Sequence, residues 1–270
     1  MSSVVKIAFG VAMVVFLLAP LFVILPLAFT SSTIISYPIS GFSMRWFTEL
    51  VTMKVWQRAV FNSIIIGLGV MLLATFLGTL AALAMRGRHT ALFTGLRTIF
   101  LIPMVIPIVI LGIGMQLIFV RMGFQDTHIA VILAHTLLAI PFVIINVSNS
   151  FASIDPAYER AAASLGASPF VVFRKITFPL SLPGILTGAV FAFGISFDEV
   201  VLTLFVAGPG QRTLAREMFS MLRENVSPAI AAVAFVFIVG TIILALAVAL
   251  SRLLGHRKGR TSRAAIAMPE

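Results

Sequence analysis

Asp155-Pro-Ala-Tyr-Glu-Arg-Ala-Ala-Ala-Ser-Leu-Gly166-Ala-Ser-Pro-Phe-Val-Val-Phe-Arg-Lys-Ile176-Thr-Phe-Pro179 is a stretch that a mere connector would not need. Asp155–Pro156 is a helix start signal, because Asp caps the first free amides and Pro fits the first helical position. A short alanine-rich helix follows and ends at Gly166, a residue suited to the left-handed cap. Ala167–Ser168–Pro169 turns the chain, and Pro169 opens a second short helix, Phe170 to Ile176, which Phe178–Pro179 is expected to stop. The segment lies in a loop of about 36 residues, Ser148 to Pro183, and loops beyond about 12–15 residues tend to carry function. Phe170, Val171, Phe173 and Ile176 give it apolar contacts.

On both sides of this loop the chain is apolar. Of 270 residues 60% are hydrophobic and 10% charged, with a mean hydropathy of +1.12, whereas soluble domains carry about 25% charged residues. Soluble enzyme, secreted domain and disordered tail are excluded, and a membrane protein remains. Six stretches are long enough to span a bilayer, which needs about 20 apolar residues each. They run from about Ile7 to Phe29, Val60 to Met85, Ile99 to Val120, Ile129 to Val147, Gly184 to Val206 and Ala229 to Leu250. The first is too long for a signal-peptide core, contains Pro20 and Pro26, and has no A-x-A site, so it reads as a retained helix. No cysteine is present, which excludes disulfides and thiolate metal sites.

The net charge of +10 is read through topology. With the N-terminus inside, twelve of the nineteen Lys and Arg residues fall in inner segments and seven in outer ones, which predicts both termini in the cytoplasm. The basic tail, residues 252–270, is then cytoplasmic and able to touch anionic lipid. Nucleic acid is not a partner on this reading. Between spans one and two, Arg45–Trp46–Phe47 and Lys54–Val55–Trp56 read as an interfacial amphipathic segment anchored by aromatic residues. Residues 1–270 form one membrane domain, with 148–183 as a cytoplasmic loop inside it.

The loop resembles the EAA motif of ABC importer permeases: Glu-Ala-Ala, three residues, Gly, nine residues, Ile-x-Leu-Pro. Ala161, Ala162, Gly166, Ile176 and Pro179 fit. Arg160 occupies the Glu position with Glu159 one place earlier, and Phe178 replaces Leu. The resemblance implies an all-α, six-helix type I importer permease fold in a bacterial inner membrane. It further implies that Glu159, Arg160, Ala161, Ala162, Gly166, Ile176 and Pro179 form a coupling helix seated on an ATP-hydrolysing subunit dimer. No P-loop occurs in the chain, so ATP and Mg belong to that partner and this chain binds no cofactor. A second permease subunit, expected to be a different chain, and an extracytoplasmic solute-binding protein complete the assembly. Asn62–Ser63, Leu77 to Ala82, Pro103 and Pro107 resemble the same group, although small residues and prolines also serve helix packing and kinks.

Asp198 and Glu199 are the only acids within a span, about halfway along the fifth. Ionisable groups at such depth cost about 2.5–3.5 kcal/mol or more each. They read either as a structural pair locking helices or as a cation site. Pointing about 100° apart on a helix, they need not share a role: one can face the pathway while the other meets a basic residue or a backbone donor. Ser196-Phe-Asp-Glu-Val, followed by Phe205-Val-Ala-Gly-Pro209, is similar to the second permease subunit of spermidine/putrescine importers, which implies a diamine or polyamine contact at Asp198 and Glu199. Relatives in the group carry other small amine-bearing or organic solutes. His89 and His256 read as solvated, His128 lies near the outer end of span four, and His135 is expected to hydrogen-bond a neighbouring helix rather than to serve a proton relay. No grouping suggests a metal site or catalysis. A stand-alone secondary transporter and an intramembrane enzyme are the competing classes, and neither assigns a task to the loop.

Overall fold

The computed structural model describes residues 3–88, 90–224, 227–240 and 242. In chain order the helices are α1 (Ser3–Leu27), α2 (Arg45–Thr52), α3 (Lys54–Met85), α4 (Ala91–Leu101), α5 (Ile108–Met122), α6 (His128–Ala152), α7 (Pro156–Ser164), α8 (Pro169–Val172), α9 (Phe178–Asp198), α10 (Val201–Val206) and α11 (Leu214–Glu224). A further apolar helix, α12, covers Ala229–Gly240. The all-helical expectation holds among the described residues. Four helices, the last of them formed by α8 and α9 together, are long and apolar enough to cross a bilayer, and a bent pair makes a fifth when its two halves are counted as one broken span. The sixth predicted span is seen only through α12. Its remainder and the basic tail, with His256, lie outside the described residues, as does His89.

The chain groups into two compact units. One comprises residues 1–53 and 221–270, the other 54–220. In the first, Phe29 stacks on Phe42 at 5.1 Å, and Phe235 meets Phe29 and Phe47 edge-on at 5.0 and 5.5 Å. Trp46 Nε1 donates to Thr30 O at 2.8 Å. Trp46 is buried, as is Trp56 in the second unit. The tryptophans therefore do not anchor the segment at a surface, because each indole is enclosed by protein.

The second unit is built on α3, α6 and α9, which pack on one another around Ile66, Val70, Ala74, Val143, Val147 and Ala192. Small residues set the closeness of that packing, as expected where lipid offers helices no hydrophobic drive to associate. A Cβ at Gly78 would stand 2.7 Å from Val143 Cγ1, and one at Gly188 would stand 3.2 Å from Val143 Cα. Val143 of α6 is thus gripped between a glycine of α3 and a glycine of α9.

The third predicted span, from about Ile99 to Val120, is not one rod. The segments Ala91–Met104 and Ile108–Met122 meet at 98°. A 3-10 turn covers Ile102–Met104, and Pro107 stands immediately before α5 in an extended conformation. Two prolines four residues apart remove two amide donors; Ile102, ahead of Pro103, keeps helical angles, and the chain leaves them at Pro107, so the bend falls between the two prolines.

Candidate functional site

The motif loop folds as its caps dictate. Asp155 Oδ1 accepts from Ala157 N at 2.8 Å and Pro156 is the first residue of α7. At the other end Gly166 adopts φ +81°. Gly166 N donates to Ala163 O at 2.9 Å and Ala167 N to Ala162 O at 3.1 Å, the paired bonds of a Schellman cap. One expectation fails here. Phe178–Pro179 does not stop the second short helix, and the chain stays helical from Pro169 to Asp198. The reason is a π turn at Phe173–Thr177, where Phe178 N reaches back five residues to Phe173 O. That widened turn absorbs the register change, and Pro179 falls in the first turn of α9, where its missing amide costs least.

Glu159 and Arg160 point to different environments. The Glu159 carboxylate pairs with Arg86 Nη1 at 2.6 Å and accepts a hydrogen bond from the Thr177 hydroxyl. Burial alone would raise its pKa, but Thr177 and Arg86 outweigh burial and hold the carboxyl below the usual carboxylate range. Arg86 also lies 5.2 Å over the Phe151 ring. One carboxylate therefore joins the end of α3, the helix α7 and the π turn. Arg160 is exposed, and both residues line a cleft of about 420 Å³ with Ala163, Ala167 and Thr177. Ala161 and Pro179 are exposed, Ala162 and Ile176 half-buried. The most exposed apolar side chains of this segment are Leu165 at 89%, Phe170 at 69% and Tyr158 at 60%. Phe170 was legible in the sequence; Leu165 and Tyr158 were not singled out, although each flanks a motif residue.

Asp198 and Glu199 do not lie inside a continuous helix. Asp198 is the last residue of α9, Glu199 is extended at φ −76° and ψ 114°, and α10 begins at Val201. Glu199 Oε1 accepts from Leu202 N at 2.9 Å, so this side chain caps the helix that follows it. Asp198 is exposed and makes no hydrogen bond or ion pair among the described residues. Both line a cleft of about 480 Å³ with Val190, Phe191, Gly194 and Ile195. The two acids thus differ in role, Glu199 meeting a backbone donor and Asp198 facing the cleft, as neighbouring residues that need not share a role can. The distinction is invisible to hydropathy, which carries the apolar run from Gly184 to Val206 straight through the break.

The segment after α10 is clamped from α3. Asn62 Nδ2 donates to Gly210 O and Arg212 O, each at 2.9 Å, and Ser63 Oγ accepts from Leu214 N at 2.8 Å. His128 Nε2 stands 2.8 Å from Asn62 Oδ1 and steadies the amide. Arg216, which sequence reading counted only as a charge, sends Nη1 to Thr203 O at 3.0 Å and Ala207 O at 2.6 Å. A basic residue in a short segment between spans was its only signal.

Residues 74–256 match the family described as the binding-protein-dependent transport system inner membrane component. The chain belongs to this family. It is 34% identical over 227 residues to the putrescine transport system permease protein PotI of Escherichia coli (strain K12), covering 81% of this chain and 80% of that one. It is 29% identical over 242 residues to the spermidine/putrescine transport system permease protein PotC of the same strain, covering 88% and 90%. Its fold matches a chain in the crystal structure of a bacterial ABC transporter involved in the import of the acidic polysaccharide alginate. There the TM-score is 0.71 at 18% identity, over 92% of this chain and 95% of that one. The importer permease fold expected from the loop therefore holds. This permease is a multi-pass inner-membrane component of a transport system, a transport subunit and not an enzyme.

Proposed function

We propose that this permease imports a small cationic solute, a diamine or polyamine such as putrescine or spermidine, by alternating access driven by ATP hydrolysed on a separate subunit dimer. The observation that carries the cargo is Asp198, an exposed carboxylate with no hydrogen-bond or ion-pair partner among the described residues, on a cleft whose other lining residues, Glu199 apart, are apolar. An ammonium group near such an acid gains roughly 4 kcal/mol at an effective dielectric constant of about 20, before desolvation is subtracted. Phe191, half-exposed on the same wall, offers a ring face to the same cation. The permeases for putrescine and for spermidine/putrescine among its relatives support this cargo. The alginate importer supports only the fold, since its named cargo is an acidic polysaccharide.

Coupling is assigned to residues 148–183. Tyr158, Leu165 and Phe170 present an apolar knob to a cleft on the ATPase, and Glu159, Arg160, Ala161, Ala162, Gly166, Ile176 and Pro179 form and aim it. ATP and Mg belong to the ATPase. A second, different permease chain completes the passage, and an extracytoplasmic solute-binding protein delivers the cargo. The whole chain forms one permease domain on this reading, and both termini, with the basic tail 252–270, face the cytoplasm.

The test is uptake of putrescine and spermidine by the reconstituted four-component complex carrying Asp198→Asn, which preserves size and removes charge. Loss of about tenfold or more with the complex assembled supports the cation site. Normal uptake of both amines by this variant overturns it. Uptake of neither amine by the wild-type complex overturns the cargo class.

A further inference from the structure

His135 lies in α6 with no exposed surface. An imidazole buried at that depth is costly unless both ring nitrogens find partners. Both do. Nδ1 stands 3.0 Å from Ser196 Oγ and Nε2 3.0 Å from Thr203 Oγ1. Ser196 belongs to the last turn of α9 and Thr203 to the first turn of α10, so one ring spans the break that holds Asp198 and Glu199.

The protons in this chain can be counted. The Thr203 hydroxyl has a single proton and donates it to Glu199 O at 3.0 Å. It therefore accepts from His135 Nε2–H, which fixes the neutral tautomer and leaves Nδ1 to accept from the Ser196 hydroxyl. Donation runs one way, from Ser196 through His135 and Thr203 to the backbone of Glu199. A residue serving only to join α6 to α9 would need one of these bonds. The second goes across the break, and its relay ends on the backbone carbonyl of Glu199, within the break itself. Irregular backbone at membrane depth is tolerated where it lines a cavity and its polar groups are satisfied, and this ring supplies the side-chain link between the two helix ends.

We infer that His135 is a positioning residue for cargo recognition: through Ser196 and Thr203 it holds α9 and α10 at the angle that sets Asp198 into its cleft. The inference rests on reading Asp198 as the cargo-facing acid.

The test uses the reconstituted complex with putrescine as probe. His135→Phe keeps a ring and removes both bonds, while His135→Gln keeps an N–H donor for Thr203. The Phe variant is expected to move about tenfold less putrescine per ATP hydrolysed, and the Gln variant to recover most of that loss. Adding Asp198→Asn to the Phe variant should cost little more, because both changes disable one element. Fully additive losses, or normal transport per ATP by the Phe variant, overturn the inference. A second readout is independent of cargo. The chain has no cysteine, so Asp198→Cys gives one thiol whose labelling rate reports its placement. A rate unchanged by His135→Phe overturns the positioning role even if Asp198→Asn transports normally, and a changed rate supports it even then. Should His135→Phe fail to assemble, Thr203→Val, nearly isosteric, removes the relay and is held to the same outcomes.

Discussion

Arg86 and Glu159, 73 residues apart in sequence, meet at 2.6 Å across the junction of α3 and the motif loop. The acid one place before the expected motif position is the one used for an ion pair, and the displaced position carries an exposed arginine. Each partner is about three-quarters buried, so removing one leaves the other charge poorly solvated.

Reversing Arg86 to Glu, or Glu159 to Arg, should therefore lower transport per ATP several-fold, and the double reversal should restore part of it. A double-mutant cycle on complex stability is expected to return about 1 kcal/mol for the pair. A coupling energy indistinguishable from zero would remove Glu159 as the strut of the loop.

The same carboxyl sets a pH dependence. Its pKa is lowered in the folded chain, so its contribution to stability is fully present above the ordinary carboxylate value of about 4.3 and fades as pH falls below that. Thermal melts of wild-type complex and Glu159→Gln should differ by a constant amount at neutral pH. The gap should close only under acid conditions. A gap that closes between pH 6 and 7 would contradict the ion-pair account.

Gly166 has φ +81° and open space where a Cβ would stand, so strain rather than collision decides its substitutions. Gly166→Val should cost about 1–2 kcal/mol locally and reduce transport and stimulated ATPase activity together, whereas Gly166→Asn should be milder because Asn tolerates the left-handed region. Equal activity of Val and wild type would dissociate the elbow from coupling.

The acids should separate by phenotype. Asp198→Asn is expected to impair uptake without lowering the melting temperature. Glu199→Ala should lower stability by about 0.5–2 kcal/mol, since it deletes the cap of α10. The reverse assignment, with Asp198→Asn the unstable one, would exchange their roles.

Sidedness follows from single cysteines placed in this cysteine-free chain. Thiols at the exposed positions Arg88 and Arg174 should react with impermeant reagent only from the cytoplasmic side, and thiols at Lys54 and Arg121 only from the other. Arg174 reacting from outside would leave the loop unable to reach an ATPase.

What the sequence displayed well was local chemistry. Asp155, Pro156 and Gly166 act within a turn of themselves, so their caps were legible. Apolar run length located the spans because lipid demands it. Two features were hidden because their causes are not local in that sense. The break after Asp198 depends on Glu199 turning back to cap α10 and on His135 contributed by another helix. The 98° bend between α4 and α5 needed the two prolines to act together, and each alone reads as a kink inside one rod. Arg216 and Leu165 carried no pattern at all. Their significance lies in what the fold sets beside them, or leaves uncovered.

The π turn has a mechanical consequence. Because it keeps the chain helical from Pro169 to Asp198, the segment is a single shaft of about 45 Å, from 30 residues at about 1.5 Å each. Its tightest glycine contact is Gly184, whose backbone lies closer to Ser150 of α6 than Gly188 does to Val143, near the midpoint, so the shaft is a lever with nearly equal arms. A tilt of about 10° around that fulcrum would swing each end by about 4 Å, taking arms of about 22 and 21 Å from the helical rise. On the proposed reading, a displacement at the motif end would therefore reach the Asp198 end in the opposite sense and almost undiminished.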